Sequence, residues 1–354
     1  MKKRNTRNGG LTIGLDLGDR WTEGRVLDDS GDVIESFRVR TTEPAMAARM
    51  SSYAPCRVVL EVGTHSPWVS RCVQRHGHET IVANPRRVRL IAENDSKSDG
   101  VDAELLARLG RVDPSLLKPI VHRGAQAQKD RILIQARDGF VRARTQLVNQ
   151  VRGLAKTMGT RAPSCSTEAF THRVRESIPL DLFPGLETLL STIESLTKTI
   201  REMDREVERV CRERYPETAL LRQIAGVGPI TALCFVLTIE DPSRFAKSRS
   251  VGAYLGLRPK QRNSGEQQPQ LRITKAGDRL LRRLLVSAAH YILGPFGPDT
   301  DLRRWGLRMA ERGGKTAKKR AVVAVARRLA VLLHRLWVTG EEYEPLRDHS
   351  AQAA

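Results

Sequence analysis

The stretch LTIGLDLGDRWTEGRVLDDSGDVIESFRVRT, residues 11–41, decides the fold class. Its short apolar runs alternate with polar residues, and DDSGD at 28–32 is a turn signal between two strand-like halves, so three strands in a meander are expected. Outward from there, TEPAMAARMSSYA (42–54) reads as a short helix, RVVLEVG (57–63) as a buried strand, SPWVSRCVQRHG (66–77) as a helix and HETIVANP (78–85) as another strand.

The resulting order, three strands followed by alternating helices and strands, is that of an α/β ribonuclease-H-like domain, in which the first strand usually lies centrally. That domain is expected over residues 10–120. A coiled-coil helical region over 121–215 follows, because AQKDRILIQARDGFVRARTQLVNQVRGLAKTMG reads as one long amphipathic helix with Ile132, Leu133, Ala136, Phe140 and Ala143 on its apolar stripe. A second long helix carries Leu186, Leu189, Ile193, Leu196, Ile200, Met203, Val207 and Val210 at near-heptad spacing. Such a pair forms an intramolecular hairpin, with or without an intersubunit coiled coil. Residues 216–345 are expected to form a mainly α third domain.

Sixty Lys and Arg against forty Asp and Glu leave a formal charge of +20 on 354 residues, which favours a polyanionic partner, nucleic acid first. Five scattered cysteines with no CxxC pair suggest neither a disulfide framework nor a zinc site, and fit a reducing cytoplasm. MKKRNTRNGG followed by LTIGLDLG makes a poor signal peptide, and the longest apolar run, ITALCFVLTI, is too short for a bilayer.

The carboxylates carry the chemistry. Asp16 sits near the end of the first strand, where an unpaired buried charge is costly, and Glu61 ends RVVLEVG. In NDSKSDGVDAELLA (94–107), Asp99 and Asp102 stand three apart at a helix start and share one face although like charges repel. Four carboxylates meeting at one edge suit Mg²⁺ (or Mn²⁺), whose charge cancels that repulsion, and a pair of such ions activates a nucleophile on a phosphodiester. Taken singly, Asp99 is equally a helix cap and Asp102 a first-turn acid facing the helix dipole.

Two further stretches point to nucleic acid. QIAGVGPITA (223–232) has a glycine pair suited to a helix-hairpin-helix-like turn, where the N–H groups of Gly226 and Gly228 can hold a phosphate. In GLRPKQRNSGEQQPQLRITKAGD, Ser264 lies in a polar loop among Arg258, Lys260, Arg262, Arg272 and Lys275, which would attract a phosphate. A lone loop serine is more often a turn residue. Farther on, Val322, Val325, Leu329, Leu332 and Leu336 form the apolar face of a helix rich in basic residues. His76 and His78 are read as a surface turn, and Trp21, Trp68, Trp305 and Trp337 as packing residues.

On GLDLG with Asp16, LEVGTHSPW with Glu61, KSDGVDAELLA with Asp99 and Asp102, IAGVGPITA, and GLRPKQRNSG with ITKAGDRLLRRLL, the chain resembles the DEDD transposases of the insertion-sequence 110 family, which includes Piv-type invertases. The resemblance spans nearly the whole chain. It implies a RuvC-like nuclease domain, a coiled-coil insert and a C-terminal transposase domain whose serine completes a composite site. It also implies Mg²⁺ held by Asp16, Glu61, Asp99 and Asp102, and Ser264 as a nucleophile that forms a phosphoserine link to DNA. The partners it implies are donor and target DNA, a structured bridge RNA that pairs with both, and a second copy or more of the chain, as dimer or tetramer. A cytoplasmic, nucleoid-associated protein is the corresponding expectation. KSDGVDA departs mildly from relatives, which often have Thr before the first Asp. Two rivals are a non-catalytic nucleic-acid-binding protein and an actin-like-fold kinase, since GLDLGDRWTEG resembles a kinase phosphate loop; the second glycine-rich motif such kinases need is not found.

Overall fold

The computed structural model describes residues 10–85, 99–179, 183–262, 269, 271–311 and 313–347, and the backbone alone of Asp99, Phe183 and Lys315. The chain divides into two compact units, residues 1–123 and 124–354.

The first unit is built on five strands: β1 (Thr12–Leu17), β2 (Trp21–Leu27), β3 (Val33–Arg40), β4 (Arg57–Glu61) and β5 (Glu79–Ala83). Their order is β3-β2-β1-β4-β5, so β1 is central as expected. It pairs antiparallel with β2 and parallel with β4. The β2–β3 turn closes because the Asp28 carboxylate accepts hydrogen bonds from the N–H groups of Ser30, Gly31 and Asp32 at 2.8–2.9 Å. Helices α1 (Glu43–Ser51) and α2 (Ser66–Arg75) cover one face, burying Met46, Met50, Val69 and Val73 against Ile13, Leu15, Val58 and Leu60.

The other face carries α3 (Asp99–Val112), which buries Ala103, Leu106 and Ala107. Its close approach depends on glycine. A Cβ on Gly14 would lie 1.9 Å from the Ala103 carbonyl oxygen, and one on Gly110 2.3 Å from Val59 Cγ2. Helix direction is set at the far end, where Arg108 Nη1 donates to Gly31 O at 3.0 Å and Arg57 Nη1 to Gly110 O at 3.0 Å. Gly31 lies in the β2–β3 turn, beside the start of β1, so α3 runs against β1 and its first turn faces the end where β1 finishes.

The second unit is helical. Its long helices are α4 (Ala125–Thr157) and α6 (Phe183–Arg214), with α5 (Phe170–Ser177) packed against α6. The α6 stripe is as expected: Leu186, Ile193, Ile200, Val207 and Val210 are buried. On α4 the expected stripe is corrected in part, since only Leu133 of its members packs against the core. Ile132 is 59% exposed and Phe140 37%, whereas Asp130, Ile134, Arg144, Val148 and Val151 are buried. The inward positions include charges because each finds a partner. Asp130 accepts from Tyr215 Oη at 2.8 Å, Arg214 Nε at 3.2 Å and Gln126 Nε2 at 3.1 Å, Arg137 pairs with Asp204, and Arg144 Nη1 donates to Thr197 Oγ1 at 3.2 Å.

The root of this hairpin shares a core with α7 (Glu217–Leu221), α8 (Pro229–Ile239), α9 (Arg249–Tyr254), α10 (Arg279–Leu293), α11 (Asp301–Ala310) and α12 (Gly314–Thr339). The apolar face of α12 is seen as read, with Val325, Leu329 and Leu336 buried and Val322 and Leu332 packed against that core. No helix among the described residues is long and apolar enough to cross a membrane.

Candidate active site

Asp16 and Glu61 are brought together by strand register. The β1–β4 ladder runs through Gly14↔Val59 and Leu15↔Leu60, so Asp16 and Glu61 follow as the next pair, on backbones about 4.8 Å apart. Alternation along a strand puts Asp16 on the face of Gly14 and Glu61 on the face of Val59, and both of those residues lie against α3. The two carboxylates therefore share one face at the finishing ends of their strands, each half-buried.

Asp99 opens α3, and its side chain lies outside the described residues. Asp102 is exposed on the first turn, one turn before the buried Leu106. Among the described residues, which leave out the Asp99 side chain, no group of three His, Cys, Asp or Glu side chains is close enough to hold a metal. The donor chemistry at this edge still fits a hard divalent cation, since two adjacent carboxylates supply oxygen ligands only.

The turns that follow the two acids are tied down. The carbonyl of Gly18 accepts from Thr41 Oγ1 at 3.0 Å, and Thr41 Oγ1 and Thr22 Oγ1 lie 2.9 Å apart. After Glu61, Ser66 Oγ accepts from Gly63 N–H at 3.0 Å, and Trp68 Nε1–H donates to His65 Nδ1 at 3.1 Å. That bond leaves the His65 Nε2 side facing Asp19 Oδ1, 3.6 Å away.

Two sequence readings are corrected nearby. His78 is 4% exposed, not on the surface, because its Nδ1 accepts from Cys56 N–H at 3.2 Å and its Nε2 lies 3.0 Å from Met50 O. Trp21 is 38% exposed, with the guanidiniums of Arg38 and Arg40 at 4.9 and 5.2 Å from its ring centroid. Composition alone hid this group; period-2 alternation puts Arg38 and Arg40 on one face of β3, but only the β2–β3 register brings that face to Trp21.

In the second unit, Gly226 has φ +91°, and a Cβ there would sit 2.9 Å from Tyr291 Cδ1, so the turn needs glycine in order to pack on α10. Gly228 is exposed and its carbonyl accepts from Ala232 N–H at 3.0 Å, opening α8. Ser264 lies outside the described residues. The segments flanking it are paired: Lys260 N–H donates to Arg272 O and Thr274 N–H to Arg258 O, both at 2.9 Å, with a bridge between Pro259 and Ile273. Arg258, Lys260, Arg262, Arg272 and Lys275 are all exposed, so the pairing of these two segments gathers cations.

Two family models match this chain: one of the DEDD type, described as a transposase, over residues 13–159, and one described as the IS116/IS110/IS902 transposase family over residues 218–300. The chain is 27% identical to the transposase for insertion sequence element IS1111A of Coxiella burnetii, over 97% of this chain and 93% of that protein. It is 28% identical to a probable family 20 transposase of Pseudomonas aeruginosa, over 83% of this chain and 87% of that protein. It is also 24% identical to the pilin gene-inverting protein of Moraxella bovis, over 78% of this chain and 77% of that protein.

Proposed function

The chain belongs to the IS116/IS110/IS902 family of transposases, enzymes that act on DNA, and from that premise we propose that it cuts and rejoins DNA with a metal-binding carboxylate edge and a serine nucleophile. The family suggests use of a divalent metal. Asp16, Glu61, Asp99 and Asp102 would hold Mg²⁺ (or Mn²⁺). The observation that carries this reading is the placing of Asp16 and Glu61 side by side on the face over which α3 directs its first turn. Bound there, the ion supplies positive charge to phosphate oxygens as negative charge builds on them.

Ser264 is the proposed nucleophile. Its Oγ forms a bond to the scissile phosphorus while one phosphorus–oxygen bond to deoxyribose breaks, and the hydroxyl proton ends on the released oxygen. The resulting phosphoserine ester keeps the strand attached to the protein, so that a deoxyribose hydroxyl can reverse the step on a new partner. Gly226, Gly228, Arg258, Lys260, Arg262, Arg272 and Lys275 hold the phosphate backbone, which carries no sequence information in itself. Target choice is then delegated to pairing with a structured bridge RNA, and the active particle is a homodimer or homotetramer at the nucleoid.

The test is strand exchange between donor and target DNA, with the element's own flanking RNA, in Mg²⁺ and in EDTA. Products only in Mg²⁺ with RNA present are expected. Ser264→Ala should bind RNA yet form no covalent protein–DNA adduct, and an adduct trapped from that variant refutes the nucleophile. Light scattering that finds a monomer with DNA and RNA bound refutes the assembly. The likeness to a pilin gene-inverting protein favours a second reading, inversion of a DNA segment in place, which the same assay separates by its products.

A further inference from the structure

We propose that Trp21, Arg38 and Arg40 form a phosphate clamp that seats the backbone of the DNA strand entering the carboxylate edge of the first unit.

Register places the group. Asp16 pairs with Glu23 and Glu23 with Arg38, so one row across β1, β2 and β3 carries all three side chains on the same face. Trp21 pairs with Arg40 two residues farther along, at the sheet end where β1 finishes. The clamp therefore stands on the face that bears Asp16 and Glu61, with Trp21 on the strand next to that of Asp16 and the arginines one strand farther out.

Two guanidiniums share one ring here, whereas Arg49 spans the rings of Phe37 and Tyr53 by itself. Arg49, Arg57 and Arg75 are each paired with an acid, Glu35, Glu79 and Glu43 respectively. Arg38 gives its Nε to Glu23 at 3.1 Å and is otherwise 62% exposed. Arg40 is exposed and has no acidic partner among the described residues. Two neighbouring guanidiniums repel each other, and nothing in folding alone requires them to meet over one ring. The electron-rich indole offsets that repulsion and limits the rotamers of both arginines. Each then offers a planar fork of N–H donors, the geometry that matches two phosphate oxygens. Two cations gathered over one ring suit a phosphate backbone.

The mechanistic use follows from the shared face. A strand held by its phosphates on β2 and β3 is delivered to the carboxylates without any base being read. The inference goes beyond the strand-transfer reading but rests on it for what lies at the end of the strand.

Binding of a fluorescein-labelled DNA duplex of mixed sequence by the full chain, in EDTA so that nothing is cut, tests the clamp across a range of KCl. Arg38→Gln and Arg40→Gln should each lower the slope of log K against log salt by about 0.9. Trp21→Ala removes no charge, yet should weaken binding roughly three- to tenfold, and Trp21→Phe should recover most of the loss. Trp21→Ala binding like the wild type, or the double arginine variant keeping the wild-type slope, overturns the clamp. So does a loss confined to an RNA probe of the same sequence. Asp16→Asn, measured alongside, should bind DNA normally and fail to cut it, so failure of the clamp and failure of the strand-transfer chemistry are seen separately.

Discussion

Gly14 lies against the backbone of Ala103: a Cβ on the glycine would meet the Ala103 carbonyl oxygen at 1.9 Å and Ala107 N at 2.8 Å. The contact lets α3 rest directly on β1, which brings the turn carrying Asp99 and Asp102 toward the end of the strand that carries Asp16. Because the obstacle is backbone on a helix, no side-chain rotation can relieve it. Gly14→Ala should therefore lower stability by roughly 1–3 kcal/mol or more, read by thermal unfolding. Gly63→Ala, where nothing lies within 4 Å, is the control and should be near neutral.

Asp16→Asn and Glu61→Gln keep shape and remove charge. Each should reduce Mg²⁺-dependent strand cutting by at least about a hundredfold, since the ion loses a carboxylate ligand. A variant that cuts at the wild-type rate refutes the assignment of that acid.

Asp130 makes the second unit acid-sensitive. Burial pushes its carboxyl up, but hydrogen bonds from Arg214, Gln126 and Tyr215 and the Arg214 charge outweigh that and hold it below its ordinary value. A lowered folded-state pKa gives stability that is complete above the unfolded value near 3.9 and is lost as pH falls through the folded value. Asp130→Asn should cost roughly 2 kcal/mol at neutral pH, and the gap to wild type should close below about pH 4. Melting curves from pH 7 down to 3 check it; a gap that stays constant excludes the carboxylate as its source.

The Cys56 thiol should be slow to alkylate. Burial pushes its pKa up to about 11. At pH 8 its thiolate fraction is then on the order of a thousandth, and iodoacetamide labelling followed by peptide mass spectrometry should find it roughly a hundredfold slower than free cysteine until the chain is unfolded. Labelling at the free-cysteine rate in the native protein contradicts this.

The helices and strands were largely legible where one face is uniformly apolar. The α6 stripe from Leu186 to Val210 reads directly because its inward positions are Leu, Ile and Val, apart from the Thr197 and Asp204 that meet α4. The α4 stripe does not, because Asp130 and Arg144 occupy inward positions that only Arg214, Tyr215 and Thr197, distant in sequence, make tolerable. His78 was misread for the same reason: its partners Cys56 and Met50 lie more than twenty residues back.

The sequence by itself determined the strand meander, the alternating α/β order, the long helices and the choice of Asp16 and Glu61, since periodicity and residue type are local properties. Only the tertiary structure decided that these two acids are neighbours, that α3 can lie close enough to matter, and that Trp21 stands exposed beneath two arginines. Those outcomes depend on strand register and on backbone contact at Gly14, which arise when segments far apart in the chain pack together, and no local pattern encodes them.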